Sequence, residues 1–171
     1  MRIFGIVGRK NSGKTHLVAR LLRAAGARGL RVSTVKHAHH DFDIDQPGKD
    51  SHTHRLAGAQ EVLVASAQRW ALIHEHRGAP EPRLDDLLAH LAPCDLVLVE
   101  GFKAGRHEKL EVYRVGCGQS PLAPGDATLV AQAVDAATLP VSTGSVPRLA
   151  LDDTDAVLEY VLGRTGLDSG R

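Results

Sequence analysis

Apolar positions along the chain fall into short runs that alternate with amphipathic stretches. The opening run "IFGIV", residues 3–7, is of strand type, and Leu17, Val18, Leu21, Leu22 and Ala25 then recur at helical spacing. Gly26 and Gly29 are expected to end that helix. "RVSTVKH" reads as a second strand, followed by a polar loop over 37–50. In "DSHTHRLAGA" a short helix is predicted, started by Asp50 or Ser51 and ended by Gly58. "EVLVAS" and "RWALIHEH" are consecutive strand patterns with a short turn between them, which predicts a hairpin. "RLDDLLAHLA" predicts a helix with Leu84, Leu87, Leu88 and Leu91 on its buried face.

"CDLVLVEGFK" is almost continuously apolar, as in a strand covered on both faces. "KLEVYRV" and "TLVAQAV" read as strands around the turn-rich "GCGQSPLAPGD". A last helix is predicted in "DDTDAVLEYVLGRTG", capped by Asp152 or Asp153, with Val157, Leu158, Val161 and Leu162 inward and a frayed tail over 168–171. Strands alternating with helices make the expected fold a three-layer α/β sandwich with a mostly parallel sheet and one antiparallel hairpin.

Composition narrows the class without choosing a chemistry. With 171 residues, 43% of them apolar, the chain can bury one core, and a single domain over 1–171 is expected. Its net charge is +1 with both signs mixed throughout, so no basic stripe suggests nucleic acid. No apolar run approaches membrane-spanning length, residues 2–7 are too short for a signal-peptide core, and a cytoplasmic location is expected. Cys94 and Cys117 lack metal-type spacing and are expected as reduced thiols.

The sharpest chemical signal is "GRKNSGKTH", directly after the first strand and at the start of the first helix. Gly8, Gly13, Lys14 and Thr15 fill the pattern G-x-x-x-x-G-K-[ST] of a phosphate loop, which places the fold among P-loop NTPases. The two glycines let the backbone turn around an oxygen-rich group, so that amides from Lys10, Asn11, Ser12 and on to Thr15 point at a phosphate. Lys14 is expected along the β- and γ-phosphates and Thr15 on Mg²⁺, with His16 next to them.

Such a loop needs an acid on the metal side. Ligands of open α/β sheets sit outside the carboxyl ends of the strands, so Glu100, ending "DLVLVE", is the candidate, with Gly101 allowing close backbone approach. Asp95 lies at the other end of that strand, about 16 Å away at strand rise. Between the two motifs stands "KHAHHDFDIDQPGKDSHTHRLAGA", which holds His37, His39, His40, His52 and His54 among Asp41, Asp43, Asp45 and Asp50. Its position after the second strand favours a nucleotide-sensing or partner-docking loop over a Zn²⁺ or Ni²⁺ site, for which no cysteine lies near, and over a solvated polar loop.

"GRKNSGKT", the His-rich block with its "PGKDS" and "AGA", and "LVLVEGFK" together resemble the signature blocks of the MobB family of molybdopterin-guanine dinucleotide biosynthesis adapter proteins, over roughly residues 1 to 105. The resemblance implies a GTP-binding homodimer with feeble GTPase activity that assists the guanylyltransferase attaching GMP to molybdopterin. It puts the nucleotide on residues 8–15, the Mg²⁺-side acid on Glu100 and a further functional Asp on Asp50. The guanine-reading Asn-Lys-x-Asp motif of many GTPases is absent, which leaves Asp135, after "AQAV", as the candidate for reading the base.

Two other classes compete. A metal-delivery GTPase would use the His-rich loop but lacks a cysteine-containing ligand motif, and a small-molecule kinase would need an arginine-bearing lid. The cations after the acid strand, Lys103, Arg106, Lys109 and Arg114 with His107, could equally meet a pterin phosphate or a partner's acidic surface. No Gln or Arg occupies a position that sequence alone defends as water-orienting.

Overall fold

The computed structural model describes residues 1–38, 42–118, 120–122, 125–135 and 146–167. In chain order the elements are β1 (Arg2–Gly8), α1 (Lys14–Ala27), β2 (Val32–Lys36), α2 (Asp50–Leu56), β3 (Glu61–Ala65), β4 (Trp70–His74), α3 (Leu84–Leu88), β5 (Leu96–Glu100), β6 (Lys109–Tyr113), β7 (Leu129–Val134), β8 (Arg148–Ala150) and α4 (Thr154–Thr165). They form two compact units, Ala38–Arg83 and the remainder.

The larger unit is a six-stranded sheet in the order β2-β5-β1-β6-β7-β8, every pair parallel. The central strands are buried on both faces, as their unbroken apolar runs require. On one face Phe4, Ile6, Leu98 and Leu110 pack against Leu17 and Leu21 of α1 and Val157 and Val161 of α4. On the other, Val97 and Val99 meet Leu84 and Leu88 of α3, with Leu91 and Phe102 beside them. The expected α/β sandwich with a parallel sheet is therefore present. Asp153 caps α4, its carboxylate accepting from Ala156 N at 2.9 Å, and the four apolar residues assigned to its inner face are all buried.

Several local expectations need correction. The first helix runs through Gly26 to Ala27 and is followed by Gly29 in a left-handed conformation, so Gly29 alone acts as the stop. The third helix is a single five-residue segment; after Ala89 N to Asp85 O the next hydrogen bonds, His90 N to Leu87 O and Leu91 N to Leu88 O, are of the tighter i to i−3 type. Pro93 disfavours helical geometry at Ala92, and Leu87 stays outside the apolar cluster formed by Leu84, Leu88 and Leu91. β8 was not expected, because three residues carry too little periodicity to read. The tail over 168–171 lies outside the described residues.

In the smaller unit β3 and β4 form the expected antiparallel hairpin, in register from Glu61 opposite His74 to Ala65 opposite Trp70. Arg55 of α2 binds Asp43 at 2.8 Å, Glu75 at 3.2 Å and Asp45 at 3.5 Å, tying the helix to the chain before it and to the end of the hairpin. Asp43 is held below the usual carboxylate range, chiefly by the Asp45 backbone amide and then by Arg55.

Candidate phosphate-binding site

Parallel strands bring all their carboxyl ends to one edge of the sheet, and the loop between β1 and α1 lies on that edge. Gly8 has φ 148°, and a Cβ there would sit 2.5 Å from Val112 O and 2.8 Å from Ser12 Oγ. Only glycine lets β1 run this close to β6 before the chain turns. Gly13 has φ 100° and occupies the N-cap of α1, with Leu17 N donating to its carbonyl at 3.0 Å. Asn11 also takes a left-handed conformation, φ 64°. No acidic residue stands in the first turn of α1, so the positive end of the helix is left uncompensated by its own sequence.

Lys14 folds back over the loop and donates to Arg9 O at 2.6 Å. Burial lowers its pKa from the ordinary lysine value; Glu100 opposes that shift, and the like charges of Lys103 and Lys36 reinforce it. Thr15 Oγ1 donates to Glu100 Oε1 at 2.9 Å, and Lys36 Nζ stands 3.7 Å from the same carboxylate oxygen. The acid is nearly buried, at 9% exposure, as the last residue of β5. Gly101 follows with φ 95°, and a Cβ there would fall 2.9 Å from His37 Cβ. The His37 and Phe102 rings pack at 4.7 Å between centroids. Ser12 Oγ and Arg114 Nε are buried with no hydrogen-bond partner among the described residues.

Residues 8–16, Glu100 and Gly101 thus come together. Asp135 follows β7 on the same edge of the sheet, two strands from β1. Asp50, the first residue of α2, is exposed and belongs to the smaller unit. Asp95 stays at the opposite end of β5, where its carboxylate accepts from Arg31 N at 2.8 Å. Of the His-rich block, His39, His40 and Asp41 lie outside the described residues, and no group of three or more His, Cys, Asp or Glu side chains able to hold a metal occurs among those described.

The cationic group that follows β5 is divided by the fold. Lys103 is near the loop, within electrostatic reach of Lys14. Lys109 is buried at the start of β6, bound to Gly105 O, Thr128 Oγ1 and Asp126, so it is unavailable to a pterin phosphate or a partner. Arg114 emerges at the other end of β6, beside Gly13. Sequence alone could not separate these roles, because they depend on which end of a strand each residue occupies.

A family model described as "Molybdopterin guanine dinucleotide synthesis protein B" matches residues 3–135. The chain belongs to the MobB family. Among relatives, the molybdopterin-guanine dinucleotide biosynthesis adapter protein of Escherichia coli is 46% identical over 112 residues, 64% of each chain. That of Haemophilus influenzae is 41% identical over 115 residues, 66% of this chain and 63% of the relative. The alignments therefore span a little under two thirds of these relatives' length. Among solved structures, a MobB homolog from Bacillus stearothermophilus superposes with a TM-score of 0.69 at 29% identity, covering 98% of this chain and 99% of that one. Bacillus subtilis MobB gives a TM-score of 0.76 at 24% identity, covering 96% and 98%. These neighbours share the α/β fold of the MobB structures. No helix among the described residues is long and apolar enough to cross a membrane.

Proposed function

We propose that this MobB-family chain binds GTP with Mg²⁺ at the loop closed by Gly8 and Thr15, and serves as an adapter that supports guanylylation of molybdopterin by a separate guanylyltransferase. The observation that carries the reading is the hydrogen bond from Thr15 to Glu100, which joins two hard oxygen donors at the mouth of a loop with a positive helix end behind it. Thr15 and Glu100 would hold Mg²⁺, which when bound neutralises phosphate charge. The backbone amides of Lys10, Asn11, Ser12 and Gly13 would cradle the phosphates, and Lys14 would leave Arg9 O to pair with them.

An adapter that supplies GTP gains nothing from rapid hydrolysis, which destroys the guanylyl donor. Unassisted turnover should lie in the range of about 10⁻⁴ to 10⁻² s⁻¹. Asp135 at the end of β7 is the residue proposed to read guanine, and Asp50 the residue proposed to couple bound nucleotide to the partner. The chain is proposed to act as a homodimer joined through the β3–β4 hairpin.

The test has two parts. Calorimetry with GTP and ATP, each with and without Mg²⁺, should show Mg²⁺-dependent binding and a GTP preference of at least about tenfold, or about 1.4 kcal/mol, that Asp135→Ala erases. Adding the protein to a purified guanylyltransferase at limiting GTP should raise molybdopterin guanylation, Lys14→Ala should remove the increase, and Asp50→Ala should keep GTP binding while losing the stimulation. Equal affinity for the two nucleotides, or stimulation that survives Lys14→Ala, rules the GTP-carrying role out.

A further inference from the structure

Arg114 continues the line of β6 in extended conformation, φ −131° and ψ 126°, one residue beyond the sheet and on the loop-bearing edge. The register of β6 against β1 pairs Val112 with Gly8, so Arg114 is delivered alongside the phosphate loop. A Cβ on Gly13 would lie 3.5 Å from both Nε and Nη2 of Arg114 and 3.8 Å from Cζ, which places the guanidinium against the last glycine before Lys14. The chain after it stays on the loop: Cys117 Sγ donates to Asn11 O at 3.4 Å and Arg9 Nε donates to Ser120 O at 3.3 Å.

Among the described residues no hydrogen bond or ion pair engages that guanidinium. Its Nε is buried without a partner, and no acid pairs with it among the described residues. The location is also electrostatically poor for an unpaired cation. It adjoins Gly13 at the positive end of α1, while Glu100 is engaged by Thr15 and Lys36. A buried polar group left unsatisfied is costly, and a guanidinium presents a planar fork suited to phosphate oxygens. An anion in the loop removes both difficulties at once.

We propose that Arg114 is a second cationic arm of the phosphate site, swinging its guanidinium from the Gly13 backbone onto the phosphate chain of the bound ligand. The inference rests on the phosphate-loop reading above and adds to it a residue from outside the loop motif. Arg114 supplies charge and hydrogen-bond donors and does not orient water, so it strengthens binding without speeding hydrolysis. The competing role is a brace that holds the loop in shape through contact with Gly13.

Parent, Arg114→Ala, Arg114→Gln and Arg114→Lys proteins should be titrated with GTP and with inorganic tripolyphosphate, each with Mg²⁺, and melted without ligand. The expected result is at least tenfold weaker binding of both ligands by the Ala and Gln variants, a smaller loss for the Lys variant, and ligand-free melting temperatures close to the parent's. Parent-like affinity in the Ala and Gln variants overturns the proposal. So does a lowered ligand-free melting temperature with the Lys variant as weak as the Ala variant, which marks a brace. If the Ala variant does not fold, the Gln and Lys variants decide by the same criteria. A parent that binds tripolyphosphate but not GTP sinks the nucleotide reading and leaves Arg114 to be judged on tripolyphosphate alone, while a parent that binds neither sinks both.

Discussion

Thr15 and Glu100, 85 residues apart in sequence, meet through a 2.9 Å hydrogen bond at the carboxyl edge of the sheet. Parallel pairing of β1 with β5 makes the meeting possible, since Ile6 is in register with Glu100 and the loop departs two residues later. Without a metal, the hydroxyl donates to the carboxylate. With Mg²⁺, both oxygens would turn to the ion. Glu100→Gln should therefore keep the fold and retain GTP binding in the absence of Mg²⁺, yet lose the increase in affinity that Mg²⁺ gives the parent, a loss of about tenfold or more. Titrations with and without Mg²⁺ measure it, and an undiminished Mg²⁺ increment in the variant would remove Glu100 from the metal site.

Lys14 should show its role through protons. Burial holds its folded-state pKa below the ordinary value of 10.5, so in alkaline solution the free protein loses this charge earlier than an exposed lysine would. Bound polyphosphate favours the ammonium. GTP binding should therefore take up a proton at alkaline pH, and affinity should fall as pH rises through the lowered pKa. Calorimetry in two buffers of different ionisation enthalpy reads the uptake directly. Lys14→Ala should abolish binding and leave the circular dichroism spectrum unchanged, because the ammonium's hydrogen bond to Arg9 O is within the loop itself.

At the opposite edge of the sheet His107 lies against Gly5, where an added Cβ would be 2.7 Å from His107 Nε2 and 2.7 Å from Lys109 Cβ. Gly5→Ala should cost about 1–3 kcal/mol, as overpacking of a filled interior does. Burial, and then the charge of Lys109, push the His107 pKa below 6.5. The unfolded chain then binds the proton more readily than the folded one, so stability is full above 6.5 and declines as pH falls from there toward the lowered folded value. Denaturant midpoints for parent and His107→Gln should converge as the solution is acidified across that window.

Much of this site was legible from sequence because its parts are local. A strand, a five-residue loop and a helix start are contiguous in the chain, and Glu100 was readable because an apolar run that ends in a carboxylate has one geometric meaning in a parallel sheet. Arg114 was invisible among its neighbouring cations, since only the register of β6 against β1 brings it to Gly13 and leaves Lys109, five residues earlier, buried at the far end. β8 was too short for periodicity, and the helix through Gly26 outlasted its glycine because Leu17, Val18, Leu21 and Ala25 hold it to the sheet by packing. Tertiary burial there outweighed a local cost of about 1 kcal/mol.

The hairpin carries the last prediction. Leu63 stands opposite Leu72 and Ala65 opposite Trp70, so alternation puts Leu63, Ala65, Trp70 and Leu72 on one face. That face is open: Leu63 is 62% exposed and Trp70 65%. On the other face Val62 is buried, while Val64 is 45% exposed. A two-stranded sheet is marginal alone, and a contiguous apolar face on one marks a surface meant to be covered. Covering it with the same face of a second copy would be isologous, each Trp70 meeting the partner's hairpin under two-fold symmetry. Trp70→Glu should therefore turn a dimer into a monomer in light scattering at micromolar concentration, and should abolish the dependence of the melting temperature on protein concentration that a dimer shows. The phosphate loop is made entirely within the larger unit, so the monomeric variant should bind GTP as the parent does. A parent that scatters as a monomer, or a Trp70→Glu protein that elutes and scatters as a dimeric parent does, would overturn the hairpin dimer.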